Sequence, residues 1–159
     1  MMHHATIPSP IGPLRLSATD QGLCRIVLPG ERGACVYGGK PQAHPVLSEA
    51  QSQLDLYFSG HLRNFTLPLT PQGTPFQLRV WQALGEIPYG ETISYAQLAT
   101  NIGRPKAVRA VGGANGRNPL PIIRPCHRVI GSDGGLTGFS GGLPSKRYLL
   151  RLECPARWT

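Results

Sequence analysis

Pro125-Cys126-His127-Arg128-Val129 sets a thiol directly beside an imidazole, in a segment that carries Arg104, Lys106, Arg109, Arg117, Arg124 and Arg128. No Asp or Glu occurs from Gly103 to Val129. A thiol next to a base is the raw material of a nucleophile, and positive surroundings favour its thiolate. The same charge points to an electrophile carried on a polyanion, with nucleic acid the obvious candidate. Neighbouring side chains on an extended segment face opposite ways, so Cys126 and His127 do not easily share a direct hydrogen bond. That counts against a hydrolase-type Cys–His dyad and favours a relay through one water. The imidazole of such a relay needs a carboxylate to fix its tautomer. Of the four acids after residue 75, Glu153, on a closing helix, is the best placed. A buried structural thiol is the commoner state of an intracellular cysteine. Pro121, Pro125, the adjacent imidazole and the basic setting weigh against it here.

The charge has a direction along the chain. Of 159 residues with a net charge of +8, residues 1–75 hold five Lys/Arg and four Asp/Glu, and residues 76–159 hold eleven and four. A basic second half with an acid-free stretch favours a polyanion-binding face. Gly and Pro interrupt the basic residues, so no basic amphipathic helix offers itself to a membrane. No signal segment or long apolar run is present, which predicts a reducing compartment, the cytoplasm, with free thiols. Cys24 and Cys35 read as small apolar side chains. His3, His4, His44 and His61 show no paired short spacing, so neither a metal nor any other cofactor is expected.

These groups need elements to position them. Thr6-Ile7, Leu14 to Leu16 and Leu23 to Leu28 read as strands between Gly/Pro turns. Leu47, Ala50, Leu54, Tyr57 and Phe58 recur at steps of three and four, predicting a helix that ends at Gly60. Phe65 to Leu67 reads as a further edge strand, and Pro68 to Pro75 as a linker. Thr74-Pro75-Phe76-Gln77 and Ser94-Tyr95-Ala96-Gln97 are capping boxes. The first opens a helix with Phe76, Val80, Leu84 and Ile87 inward. The second opens one with Tyr95, Leu98, Ala99 and Ile102 inward, closed by Gly103. Pro105 then stands at the start of a third helix, Lys106 to about Ala114, with Lys106 and Arg109 on one face. Two short helices across a Gly-containing turn, about residues 94–114, predict a helix-turn-helix. Leu120 to Ile123 reads as an extended run into Pro125. Glycines frame a loop around Phe139-Ser140, and Ser145 to Glu153 closes the chain as a helix with Tyr148, Leu149 and Leu152 inward.

Pro125-Cys126-His127-Arg128-Val129-Ile130-Gly131 resembles the active-site segment of the O6-alkylguanine-DNA alkyltransferases, the methylated-DNA–protein-cysteine methyltransferases. Arg109 to Ala114, Asn118-Pro119, Gly138 to Gly142, Lys146 to Glu153, Pro75 to Trp81 and Ile87 to Tyr95 are similar in order and spacing. The resemblance covers residues 75–153 and, more weakly, the strand-rich first half. It implies an α+β fold. A small ribonuclease H-like antiparallel sheet with a helix (residues 1–67) would be joined by a linker (68–75) to a mostly helical domain (76–159). That domain would hold a winged helix-turn-helix-like unit and an active-site segment at 118–140.

The activity implied is direct-reversal repair. Cys126 takes the alkyl group from O6-alkylguanine in duplex DNA, once and irreversibly, with O4-alkylthymine a second candidate substrate. His127 and Glu153 would activate the thiol, Tyr95 would give a proton to guanine N3, and Asn118 would orient the Cys126 segment. Arg109 would enter the duplex in place of the flipped base. Ser94, Lys106, Ala107, Ala110, Gly113, Arg117 and Arg128 would meet DNA through the minor groove. Pro121, Val129, Phe139 and Ser140 would form the base pocket, with Ser140 on O6 and the main chain at Cys126 and Val129 accepting from the exocyclic amine. Phe139 stands where many members have Tyr. No cofactor is implied, and the protein would be a monomer in solution, with cooperative binding along DNA a further expectation. The alternative is a non-catalytic module that binds alkylated DNA, against which the presence of Cys126 counts.

Overall fold

Alternating apolar residues build the first unit of the chain. The computed structural model describes residues 2–31 and 44–158, and divides at Gln72/Gly73 into two compact units. In the first, β1 (His3–Ile7), β2 (Leu14–Thr19) and β3 (Gly22–Val27) form an antiparallel sheet in that order. The register sets Ile7 opposite Leu14 and Ala5 opposite Leu16, so one face is buried. Helix α1 (Pro45–Phe58) packs on all three strands through Leu47, Ala50, Leu54 and Tyr57. Cys24 is a half-buried thiol whose Sγ donates to the Ser17 carbonyl, and burial pushes its pKa up. Cys35 lies outside the described residues.

The edge strand expected at Phe65 to Leu67 does not form. The Gln53 amide takes its place as partner, accepting from Thr66 N at 2.9 Å and donating to Thr66 O at 3.3 Å. Pairing with β3 occurs further on, inside the expected linker. Leu23 N donates to Pro68 O and Thr70 N to Leu23 O, each at 2.8 Å. A side chain at Gly22 would meet the Pro68 carbonyl at 2.6 Å, so this close approach requires glycine.

The second unit is mostly helical: α2 (Pro75–Leu84), α3 (Tyr95–Asn101), α4 (Val108–Gly116) and α5 (Leu143–Glu153). Both capping boxes form, on Thr74/Gln77 and Ser94/Gln97. Ile87 is buried, but beyond the α2 cap at Gly85. Gly103, at φ 75°, closes α3 with Gly103 N on Thr100 O and Arg104 N on Ala99 O, a Schellman arrangement. Helix α4 begins at Val108, two residues later than expected. A turn closed by Ala107 N on Arg104 O holds Ala107 at ψ 33° and leaves Lys106 outside the helix. Trp81 Nε1 donates to Ala114 O at 2.8 Å and pins α2 to α4. The inner face of α5 is Lys146, Leu149, Leu150 and Glu153, while Tyr148 is exposed and Leu152 half-buried. The fold is α+β, with the winged unit's elements in this half.

Candidate active site

Cys126, His127 and Arg128 form one 3₁₀ turn rather than an extended stretch. It runs straight into β5 (Val129–Ile130), which pairs in parallel with β4 (Ile93–Ser94) at the start of α3. The thiol and the Tyr95 helix are therefore fixed to each other by backbone. Leu120 to Ile123, expected to be extended, is a tight turn closed by Arg124 N on Leu120 O at 2.8 Å. Ile122 is held there at φ 76°, a conformation that β-branched residues rarely adopt. Asn118 holds the turn, with Nδ2 donating to Arg124 O at 2.7 Å and Oδ1 accepting from Leu120 N at 3.1 Å. The carbonyl that Asn118 holds lies two residues before Cys126. Cys126 is 3 % exposed and His127 fully buried.

His127 Nε2 lies 2.7 Å from Glu153 Oε2. Burial pushes the Glu153 carboxyl up, but the His127 hydrogen bond and the Arg128 guanidinium outweigh it and hold it well below the carboxylate range. An ionised carboxylate only accepts, so Nε2 carries the proton and Nδ1 keeps its lone pair. Nδ1 is itself buried with no hydrogen-bond partner. Burial lowers the His127 pKa against the pull of Glu153, which keeps the ring neutral at pH 7. A neutral imidazole of fixed tautomer, with the Nδ1 lone pair on the residue next to Cys126, has the form a general base requires.

Arg128 corrects an expectation. Placed among DNA contacts by sequence, it is buried, with Nε on Glu153 Oε1 at 2.8 Å, Nη2 on Oε2 at 3.1 Å and Nη1 on Ile87 O at 2.6 Å. Its guanidinium lies 5.7 Å from the Tyr89 ring. The Pro88-Tyr89-Gly90-Glu91 turn wraps this group, with Gly90 at φ 79° donating its N–H to Glu153 Oε1. A conspicuous loop motif is therefore the wall of the carboxylate. Half-buried Ser94 caps α3, its hydroxyl accepting from Gln97 N and keeping its own O–H as a donor.

The remaining basic and small residues stay on the surface. Lys106, Arg109, Ala110, Gly113 and Arg117 are exposed and Ala107 half-buried, although Lys106 lies in the turn before α4 and not on its face. A side chain at Gly113 would meet nothing, whereas one at Gly112 would meet the Tyr95 ring, so Gly113 is on the open side of α4. Pro121 and Val129 are buried, Phe139 packs on the core and Ser140 is exposed.

Two participants were missed. Lys146 is fully buried on α5, and its Nζ donates to Val129 O at 2.8 Å and Thr137 O at 3.2 Å. The Val129 carbonyl offered to a base amine thus already serves one donor. Thr137 Oγ1 lies 2.6 Å from the Tyr95 hydroxyl. The i, i+3, i+4, i+7 spacing of Lys146, Leu149, Leu150 and Glu153 would have shown that both charged residues share the inner face.

Residues 75–154 match the family described as 6-O-methylguanine DNA methyltransferase, DNA binding domain, and residues 2–71 the ribonuclease-like domain of the same family. Fold and site thus define a two-domain DNA methyltransferase architecture with a buried cysteine in its second domain. A methylated-DNA–protein-cysteine methyltransferase of Methanosarcina barkeri is 50 % identical over 153 residues, covering 96 % of this chain and 97 % of that one. The constitutive enzyme of that name from Bacillus subtilis is 46 % identical, with 96 % of each covered. The crystal structure of Mycobacterium tuberculosis OGT in complex with DNA superposes with a TM-score of 0.86 at 49 % identity, covering 95 % and 92 %. The chain belongs to the methylated-DNA–protein-cysteine methyltransferase family.

Proposed function

We propose that this chain repairs O6-alkylguanine in duplex DNA by transferring the alkyl group irreversibly to Cys126. The observation that carries this reading is the commitment of His127 Nε2 to Glu153, which leaves Nδ1 as a buried basic atom on the residue next to Cys126. Through a water, Nδ1 takes the proton of Cys126, and the imidazolium formed is held by Glu153. The Sγ–carbon bond forms as the carbon–O6 bond breaks, and the electron pair passes to the guanine ring. Tyr95 gives its proton to guanine N3, and the Thr137 hydroxyl donates to the phenol oxygen as that charge develops. A thioether is not hydrolysed by water, so each molecule acts once.

The target base is stacked and must be flipped out, at a cost of a few kcal/mol. Arg109, exposed in the first turn of α4, fills the place it leaves. The open side of α4, with Ala110 and Gly113, suits the narrow minor groove, whose degenerate pattern suits a protein that scans any sequence. Lys106 and Arg117 meet phosphates. The pocket is formed by Pro121, Val129, Phe139 and Ser140. The protein acts as a monomer in the cytoplasm, and O4-alkylthymine is its second candidate substrate.

Intact mass measurement after incubation with a duplex bearing O6-methylguanine tests this directly. One methyl group per chain, on the Cys126 peptide and absent in Cys126→Ala, is expected. A protein that binds the lesion and stays unmodified would be a binding module instead.

A further inference from the structure

His3 opens β1, Asp20 sits in the turn between β2 and β3, and His44 caps α1. These three points are separated by 17 and 24 residues, which is why no short ligand spacing betrays them in sequence. In the fold they converge. His3 Nε2 lies 3.2 Å from Asp20 Oδ1 and His44 Nε2 3.3 Å from the same oxygen. The two rings stack, with centroids 4.3 Å apart and 26° between planes. The three potential ligand atoms all lie within 4.8 Å of one another.

We propose that His3, Asp20 and His44 form a binding site for a divalent transition-metal ion, zinc foremost, that clips together the start of β1, the β2–β3 turn and the start of α1. Tetrahedral zinc with bonds of about 2.0–2.1 Å holds its ligand atoms about 3.3 Å apart, which is the separation of Asp20 Oδ1 from each imidazole nitrogen. Two neutral imidazoles and one carboxylate are a borderline set suited to zinc, cobalt or nickel, and unsuited to calcium or magnesium. The Asp20 side chain is 71 % exposed while those of His3 and His44 are 21 % and 12 %. The ion can therefore enter from solvent and keep water in its fourth position.

The tautomer of His44 gives the site a signature of its own. Its Nδ1 accepts from Val46 N at 3.2 Å, so in the metal-free protein Nε2 carries the proton and donates to Asp20. A metal at Nε2 needs the lone pair there, which moves the ring proton to Nδ1 and releases the Val46 amide. Metal loading therefore exchanges the side-chain cap of α1 for a cross-link between three elements.

The full-length protein, freed of metal with a chelator, is titrated with zinc and with cobalt. One equivalent is expected to bind, the Val46 amide resonance to move, and the melting temperature to rise with metal concentration. Asp20→Asn, at an exposed position, and His3→Ala, at a half-buried one, are expected to weaken binding by about tenfold or more while leaving alkyl transfer to Cys126 unchanged. No binding by the wild-type chain, or equal binding by Asp20→Asn, overturns the proposal. So does a cobalt spectrum with thiolate charge-transfer bands, which would assign the metal to cysteine. Because β1, the turn and α1 all lie in the first unit, failure here leaves the alkyl-transfer reading untouched.

Discussion

Arg128→Met separates two meanings of one positive charge. If Arg128 met a DNA phosphate, its loss would leave the fold intact and reduce the slope of log affinity against log salt by about 0.9. The structure instead sets it on Glu153, with side-chain exposures of 7 % and 1 %. Removing one partner of a buried pair strands the other, which costs about 3–5 kcal/mol. For a chain of this length each kcal/mol moves the melting temperature by about 2–4 °C, so a fall of about 6–20 °C follows. Met matches the length of the guanidinium stem, so the loss reports charge more than volume. The assay pairs thermal melts with DNA titrations over a salt series at a temperature where the variant is folded. The salt slope should match the wild type. A variant that melts within a degree or two of wild type but loses a unit of slope would refute the buried-pair reasoning.

Lys106→Ala and Arg117→Ala should show the converse, each lowering the salt slope by about 0.9 with stability changed by no more than about 0.5 kcal/mol. Unaltered DNA titrations would remove them from the interface. Arg109→Ala should slow repair of duplex far more than reaction with free O6-benzylguanine, and equal losses on both would contradict its insertion in the helix. Gly90→Ala should cost about 1–2 kcal/mol because φ 79° suits glycine alone, as urea melts will test. Stability should fall on acidification in two steps, measured by denaturant titration from about pH 7.5 to about pH 2. The folded His127 pKa is lowered, so below about 6.5 the unfolded chain binds a proton that the folded one does not. The folded Glu153 pKa is also lowered, so its contribution is present above about 4.3 and is lost as pH falls further. Stability that rises between about pH 7 and about pH 5 would contradict the His127 assignment, and stability that does not fall below about pH 4.3 would contradict that of Glu153.

The chemistry at Cys126 was legible because nucleophile, base and acid-free flank are contiguous, and because capping boxes and Gly103 announce α2 and α3 by local hydrogen bonding alone. What stayed hidden depends on burial, which a basic residue's name does not disclose. Arg128 and Lys146 look like further members of a basic face, yet both are buried, Arg128 on Glu153 and Lys146 on the Val129 carbonyl. Among the described residues the site thus holds two buried cations against one buried carboxylate, Glu153, since His127 is neutral. That excess positive charge lowers the cost of forming a thiolate at Cys126 when His127 takes its proton. The basic character of the segment therefore serves two ends at different depths. Lys106, Arg109 and Arg117 face outward toward a polyanion, while Arg128 neutralises Glu153 and leaves Lys146 as the uncompensated charge that favours the thiolate. On this account Lys146→Met should shift the pH dependence of Cys126 alkylation by free O6-benzylguanine to higher pH, with the rate recovering toward wild type as pH rises. A uniform loss of rate at every pH would make Lys146 a support of the Val129 and Thr137 carbonyls and nothing more.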